Sequence, residues 1–283
     1  MIITGEIKRI RAVRWENPLL SWGLVPTMGY LHDGHLSLVR RARAENERVA
    51  VSIFVNPTQF GPKEDLSKYP RDLNRDLDLL QSVDVDLVFT PTGTEMYSSG
   101  FQTYVSVRDV SQPLEGVSRP THFQGVATVV AKLFNIFQPT RTYFGQKDAQ
   151  QIVVLRRMAT DLDFNLEFIV CPTMREADGL AMSSRNAYLS AEERAAATVL
   201  YRALTAANDA FVKGERRANA LRETMRAILA QEKLARLDYV SVADPMTLAE
   251  LEIINSEALL SLAVFFGKTR LIDNLLVQAK VFG

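Results

Sequence analysis

The chain is poor in several residue types that mark specialised classes of protein. Its 283 residues include one cysteine, Cys171, so no disulfide can form within the chain and nothing indicates an oxidising compartment. Thirty-three lysines and arginines balance thirty-three aspartates and glutamates, so the chain lacks the broad positive charge typical of nucleic-acid binders. We therefore expect small-molecule ligands and no nucleic acid.

The sequence also lacks long apolar runs. Residues 258–266 form the most apolar run near the C-terminal end, and nine residues are far too few to span a bilayer as a helix. Residues 1–16 mix basic residues with isolated apolar ones and lack the apolar core of a signal peptide. These observations predict a cytoplasmic protein that does not bind a membrane.

The length predicts two domains, and the 47% of hydrophobic residues suffices for a substantial core. Apolar strands alternate with helical patterns in the first part, which predicts a parallel α/β sheet. Residues 104–107 could add a strand, and residues 114–119 are interpreted as a loop. The other expected elements are strands over 48–55, 85–89, 141–144 and 163–171, and helices over 71–82 and 125–137.

The composition changes after the loop that contains Ser183, Ser184 and Arg185. A capping box, Ser190 with Glu193, opens an alanine-rich helix that ends near Gly214. A second helix over 219–234 and strands over 238–243, 259–265 and from 271 follow. This pattern predicts a separate, smaller α+β unit.

Two of the three histidines, His32 and His35, lie where an apolar strand ends in a tight turn and a helix begins. The first N–H groups of a helix lack internal partners and attract phosphate. Gly34 would let a phosphate approach the backbone, and the imidazoles can donate hydrogen bonds to it. The alternative is a mutually satisfied histidine pair at a helix start. Zinc has less support, because there is no HExxH motif.

Three further segments are candidate ligand sites. Lys147 and Asp148 stand at the start of a helix, although a solvated ion pair is the common outcome for such residues. The loop of residues 182–185 could wrap phosphate oxygens, or it could be a serine loop that caps a helix. Gln59 follows the buried strand 48–55, where open α/β sheets bind ligands, unless this segment is an ordinary turn.

These motifs resemble known families. Residues 28–35 and 182–185 resemble the HIGH and KMSKS signatures of class I aminoacyl-tRNA synthetases and related nucleotidyltransferases, which implies a Rossmann-like fold for adenylyl transfer. Four longer strings resemble the pantoate–β-alanine ligase family. They are PTMGYLHDGH (26–35), FVNPTQF (54–60), YFGQKDAQQ (143–151) and READGLAMSSRN (175–186).

The chain departs from that family at Thr121, where the family usually carries glycine. A β-branched residue tolerates a positive φ poorly, so we expect no left-handed backbone at Thr121. The departure leaves any role of His122 unassigned.

The resemblance implies a Rossmann-like domain over 1–175 that binds nucleotide and pantoate, followed by a smaller α+β lid domain over 176–283. It implies ATP-dependent condensation of (R)-pantoate with β-alanine through pantoyl adenylate, with release of AMP and pyrophosphate. ATP would act as a substrate together with Mg²⁺, and the enzyme would be a homodimer through its first domain.

The resemblance also implies roles for individual residues. His32, His35, Lys147 and Arg185 would be catalytic, with His35 the family's proposed proton donor. Gln59 and Gln151 would bind pantoate, and Gln59 would also lie at the β-alanine site. The ATP-binding residues would be Met28, Gly29, Tyr30, Leu31, His32, Asp33, Gly34, His35, Gly145, Gln146, Lys147, Asp148, Met174, Met182, Ser183, Ser184 and Arg185.

The protein ligands of Mg²⁺ stay unassigned. Asp76 could support the ion, but its place in a helical pattern favours a solvated helix acid.

Two other functions stay open. A nucleotidyltransferase that acts on a phosphorylated acceptor should carry cationic residues in place of Gln59 and Gln151. A non-catalytic nucleotide-binding module should lack the lysine or the Ser-Ser-Arg loop, and this sequence retains both.

Overall fold

The computed structural model of the chain describes residues 1–61 and 66–279. The chain divides into two compact units. The first comprises Met1–Gln146 and Val154–Pro172, and the second comprises Lys147–Val153 and Thr173–Gly283. The chain therefore enters the second unit twice, first for a short passage and then for the remainder.

A six-stranded sheet forms the centre of the first unit. All strand pairs are parallel, in the order β1-β4-β3-β2-β5-β6. Residues 49–51 of β3 are at most 1% exposed, as expected for a strand covered on both faces. The strands are β1 (Ile2–Thr4), β2 (Trp22–Thr27), β3 (Arg48–Ile53), β4 (Leu87–Phe89), β5 (Arg141–Gly145) and β6 (Glu167–Cys171).

Helices accompany these strands. In α2 the side chains of Leu36, Val39 and Ala42 recur at helical spacing and join the same buried cluster as Val25 and Val51 of the sheet. The helices are α1 (Ile7–Glu16), α2 (Asp33–Glu45), α3 (Leu73–Gln81), α4 (Gly93–Met96), α5 (Glu115–Ser118), α6 (His122–Phe137) and α7 (Ala149–Asp161). The first residues of α7, Ala149 to Val153, belong to the second unit.

The strand order reverses beside β2. From β2 the chain proceeds to β3 and β4 on one side, whereas β5 and β6 lie on the other side. Ligands of open parallel sheets bind beyond the carboxyl ends of the strands at such a reversal. The segments that follow β2, β3 and β5 are therefore the expected site in the first unit.

The second unit has a three-stranded antiparallel sheet in the order β7-β8-β9. Helices α9 and α10 contribute Leu200, Leu204 and Leu221 to a core that includes Leu260 and Leu262 of β8. The elements are α8 (Ala191–Ala196), α9 (Val199–Val212), α10 (Ala218–Leu229), β7 (Ala235–Ala243), β8 (Glu257–Phe266) and β9 (Thr269–Gln278). The predicted fold class, a parallel α/β sheet followed by a smaller α+β unit, is confirmed.

Two predicted elements of the second half differ from the structure. The alanine-rich segment from Ser190 is two helices, α8 and α9, and the Thr198 hydroxyl donates to the Ala195 carbonyl at 2.8 Å between them. The predicted capping box is confirmed, with both the Ser190 and Glu193 bonds present. Strand β6 begins at Glu167, since Asp163 has a φ of +49° that an extended strand does not allow.

Two short predictions in the first unit are also wrong. Residues 104–107 pair with no strand in the described ranges, and the Val105 amide donates instead to the Thr128 hydroxyl at 3.0 Å. Residues 114–119, expected as a loop, contain the helical turn α5. Helix α6 begins at His122 rather than at residue 125.

Candidate active site

The segment between β2 and α2 makes a tight turn. Gly29 and Tyr30 both have positive φ values, +83° and +52°. A Cβ atom on Gly29 would lie 3.0 Å from both Asp76 Oδ2 and Ile53 Cγ2. Glycine is therefore required at this position for two reasons, its positive φ and the close approach of the neighbouring side chains.

Asp76 of α3 holds this turn from the side. Its Oδ2 accepts a hydrogen bond from the Tyr30 amide and its Oδ1 accepts one from the Leu31 amide, both at 2.7 Å. Arg75 adds a bond from Nη1 to the Leu31 carbonyl at 3.0 Å. The interpretation of Asp76 as a solvated helix acid is wrong, because the residue is only 1% exposed.

Burial raises the pKa of Asp76 above its ordinary value, while the two amide donors and Arg75 act in the opposite direction. Both carboxylate oxygens are engaged by the backbone of the turn. Asp76 therefore acts as a structural clamp on the turn.

His32 and His35 form the cap of helix α2. His32 Nδ1 accepts from the Gly34 amide at 3.1 Å, and His35 Nδ1 accepts from the His32 amide at 3.3 Å. The ring centroids are 4.1 Å apart. Because each Nδ1 acts as an acceptor, the neutral rings carry their protons on Nε2. The pair thus caps the helix, as one alternative held, and still directs an N–H donor away from the cap.

Gln59 lies just beyond β3 and contacts the neighbouring turn. Asn56 caps the short helical turn Pro57–Gln59 and donates from Nδ2 to Gln59 Oε1 at 3.2 Å. Gln59 Nε2 donates to Met28 Sδ at 2.9 Å. The structure thus brings together predicted site residues from the ends of β2 and β3, and Gln59 is 9% exposed.

Two residues without an assigned role in the sequence hold the backbone of Gln59. His122 Nδ1 lies 2.9 Å from the Gln59 carbonyl oxygen, and Arg119 Nη2 donates to the same oxygen at 3.2 Å. The φ of Thr121 is −97°, which confirms that the backbone is not left-handed there. In the sequence both residues lie before the predicted helix start at residue 125, so the helical pattern does not point to this contact.

Strand β5, the neighbour of β2, ends at Gly145 and continues into the helical turn Gln146–Asp148. Gly145 and Gln146 belong to the first unit, and Lys147 begins the second. Lys147 Nζ lies 3.7 Å from Asp148 Oδ1, and the lysine side chain is only 20% exposed. The Lys147 carbonyl accepts a hydrogen bond from Asn274 Nδ2 at 2.9 Å. Gln151 is half-buried on α7.

The other predicted residues of the second unit lie on and after a hairpin. The Met182 amide donates to the Met174 carbonyl at 2.9 Å, and Arg175 pairs with Ala181. Gly179 closes the turn with a φ of +93° and leaves no space for a Cβ atom beside Tyr201. The hairpin leads directly into Ser183, Ser184 and Arg185.

Ser183 caps the helical turn Ser184–Tyr188, and its Oγ accepts from the Arg185 amide at 3.3 Å. The serine-cap alternative is therefore present. Ser184 is 8% exposed, so the loop is packed rather than extended into solvent.

Other kinds of site find little support in the described ranges. No three His, Cys, Asp or Glu side chains there lie close enough together to hold a metal ion. The helices of residues 1–61 and 66–279 include none with the length and apolar character needed to cross a membrane.

A sequence profile described as pantoate-beta-alanine ligase matches residues 3–276. The chain belongs to the pantoate-beta-alanine ligase family. It is therefore an enzyme of a family of ligases, and the predicted resemblance is confirmed.

Relatives agree with this assignment. The pantothenate synthetase of Roseiflexus castenholzii is 63% identical over 275 residues, which cover 97% of this chain and 98% of that protein. A crystal structure of pantothenate synthetase from Thermus thermophilus superimposes with a TM-score of 0.93 at 48% identity and covers 97% of this chain and 99% of that one.

The pantoate-beta-alanine ligase of Francisella tularensis, solved with beta-gamma ATP and beta-alanine, gives a TM-score of 0.80 at 36% identity. The match covers 98% of this chain and 97% of that one.

Proposed function

We propose that the chain condenses (R)-pantoate with β-alanine at the expense of ATP and forms pantothenate through pantoyl adenylate. The observation that carries the proposal is the assembly at the end of β2, where Asp76 fixes the turn and His32 and His35 cap α2 through Nδ1, which leaves the ring proton on Nε2. Gln59, a neutral amide, contacts Met28 of the same turn. Membership of the ligase family supports this function for the assembly.

In the first step, a pantoate carboxylate oxygen attacks the α-phosphorus of ATP, the bond to the β-phosphate oxygen breaks and pyrophosphate leaves. Negative charge grows on the phosphate oxygens during this step, so fixed N–H donors and cations accelerate it. His32 and His35 supply donors from the first unit. Lys147 and Arg185 of the second unit are assigned to stabilise the same growing negative charge.

In the second step, the β-alanine amine attacks the acyl carbon of the adenylate, loses a proton and expels AMP. Most of the catalytic effect comes from placing the reactants, because the protein forms no covalent bond in either step. His35 is assigned as the proton donor to the phosphate oxygens.

The remaining predicted residues are assigned to ligands by the same reasoning. Residues 28–35, Gly145 to Asp148, Met174 and residues 182–185 would contact ATP, which enters as its magnesium complex. Phosphate oxygens and water commonly provide most ligands of Mg²⁺. No protein ligand is assigned to the ion.

Gln59 and Gln151 are assigned to pantoate, and Gln59 also to β-alanine. An amide both donates and accepts, which suits hydroxyl groups and a carboxylate that loses its charge on adenylation. A phosphorylated acceptor would favour cations at these positions, so that alternative is the weaker one. We further propose that the enzyme acts as a cytoplasmic homodimer, and cell fractionation would test the location.

The decisive test is pyrophosphate exchange. With pantoate present and β-alanine absent, labelled pyrophosphate should be incorporated into ATP, because the first step is reversible and complete by itself. Omission of pantoate is the control and should abolish exchange. Exchange that required β-alanine would rule out the stepwise route, and absence of pantothenate with all three substrates would rule out the function.

A further inference from the structure

Asp273 and Asn274 are consecutive polar residues of β9 that are almost completely buried. They are 2% and 3% exposed. Successive side chains of a strand point to opposite faces of the sheet. Buried polar groups are costly unless they are hydrogen-bonded. Their partners therefore indicate why polar residues are placed inside this unit.

The Asn274 side chain holds the main chain of Lys147. Its Nδ2 donates to the Lys147 carbonyl oxygen at 2.9 Å, across 127 residues of sequence. Lys147 lies in the helical turn that follows β5, and it is the lysine assigned to the charge that grows on phosphate. The position of the lysine backbone in the second unit thus depends on a side chain from a distant strand.

Asp273 braces this contact. Its Oδ1 accepts from the Asn274 amide at 2.8 Å and from Arg175 Nη2 at 2.9 Å, while its Oδ2 accepts from Arg175 Nη1 at 2.6 Å. Arg175 in turn donates to the Gly179 carbonyl at 3.1 Å and stacks 4.0 Å above the Tyr201 ring. One continuous set of bonds therefore links Lys147 to the hairpin that precedes Ser183.

We infer that Asn274 is a positioning residue for adenylation. It acts through its hydrogen bond to the Lys147 backbone, and Asp273 connects it to the hairpin through Arg175. The inference rests on the proposed function, because Lys147 needs accurate placement only if it contacts a reacting phosphate. A displacement of about 1 Å in such a group can lower a rate about a hundredfold. Asn274 itself touches no substrate in this scheme.

The first test replaces Asn274 with Ala, or with Asp, which has nearly the same shape but cannot donate from a carboxylate. Pantoate-dependent pyrophosphate exchange should show kcat at least about tenfold lower in both variants, with a smaller change in the KM for pantoate. Thermal unfolding should be followed in parallel, and kcat should be measured well below each midpoint. An unchanged kcat with a lowered midpoint would show a merely structural role and overturn the inference.

Ser261→Ala is the matched control. Ser261 lies opposite Asn274 in the β8–β9 register, and its buried hydroxyl has no hydrogen-bond partner among the described residues. Its removal changes a buried polar side chain of the same sheet and breaks no hydrogen bond to Asn274 or Lys147. The parent kcat is expected, and an equal loss in this control would overturn the assignment to Asn274.

A double-mutant cycle separates action through Lys147 from an independent effect. In a Lys147→Ala background, adding Asn274→Ala should change kcat by less than about twofold, since the group being positioned is gone. If the two substitutions lowered kcat by factors that multiply in the double variant, the inference would be overturned. A parent without exchange would overturn the proposed function, whereas an active parent with fully active Asn274 variants overturns this inference alone.

Discussion

At the scale of single residues, the turn after β2 depends on a carboxylate supplied from 45 residues further along the chain. Tyr30 keeps a positive φ that costs free energy in a residue other than glycine. The two amide bonds to Asp76 act against that cost. The cap of α2, formed by His32 and His35, follows directly after this turn.

Asp76→Asn tests the clamp. An amide can accept from only one of the two backbone donors, so the other amide loses its partner. Unfolding in urea should show a loss of about 1–3 kcal/mol, and single-turnover adenylation should slow about tenfold or more. Asp78→Asn, on the same helix but exposed, is the control and should match the parent in both measurements. Parent-like adenylation by Asp76→Asn would refute the clamp.

His35→Asn separates the two roles of that histidine. Asparagine can place its Oδ1 near the position of Nδ1 and so keep the bond from the His32 amide, but it has no group at the position of Nε2. Adenylation should fall about a hundredfold or more, with little change in stability or pantoate affinity. If His35→Asn stayed within a few-fold of the parent while His35→Ala was inactive, capping alone would explain the residue.

At the scale of elements, the Ser-Ser-Arg loop follows a well-anchored hairpin. Arg194 pairs with Glu176 at 2.6 Å and with Asp178 at 2.8 Å, and Arg175 pairs with Asp273. The proposal that the second unit acts as a lid therefore requires the hairpin to move as a body. The flexible part would be the short turn that begins at Ser183.

Hydrogen exchange across residues 174–190 tests this proposal. The Glu176 and Met182 amides are bonded inside the hairpin and should exchange slowly with or without ligands. The Ser184 and Arg185 amides should slow markedly with ATP and pantoate bound, because Arg185 would close on the phosphates and exclude water. Arg185→Ala should reduce that protection. Equal exchange in the free and liganded enzyme would favour a fixed loop.

The elements also show which features the sequence predicts and which it does not. Periodicity and capping residues predict the parallel strands, α2 and the start of α8, because these signals are local. The clamp of Asp76 on Tyr30 and the bond from Asn274 to Lys147 are absent from that prediction, since each joins residues far apart in sequence. The break between α8 and α9 is absent from the prediction because the alanine-rich pattern continues across it.

At the scale of the whole molecule, each unit has its own buried core. The proposed homodimer is a property of two whole chains rather than of one residue or element. Residues 101–107 lie in neither a helix nor a strand, and they contact α6 through Val105 to Thr128 and Gln124 to Ser106. Tyr104 is 50% exposed. We propose that this segment pairs as a strand with the same segment of a second copy.

Ser106→Pro tests whether that segment forms the interface. In a segment paired as a strand, alternate amides face opposite sides, so the Ser106 amide would face away from the side on which the Val105 amide contacts α6. Proline removes this donor and leaves the Val105 bond in place, whereas Ser106→Ala retains the donor and serves as the control. Sedimentation should give twice the 31.7 kDa of one chain for the parent and for Ser106→Ala, and a single-chain mass for Ser106→Pro. A parent of single-chain mass would contradict the dimer, and a dimeric Ser106→Pro would place its interface elsewhere.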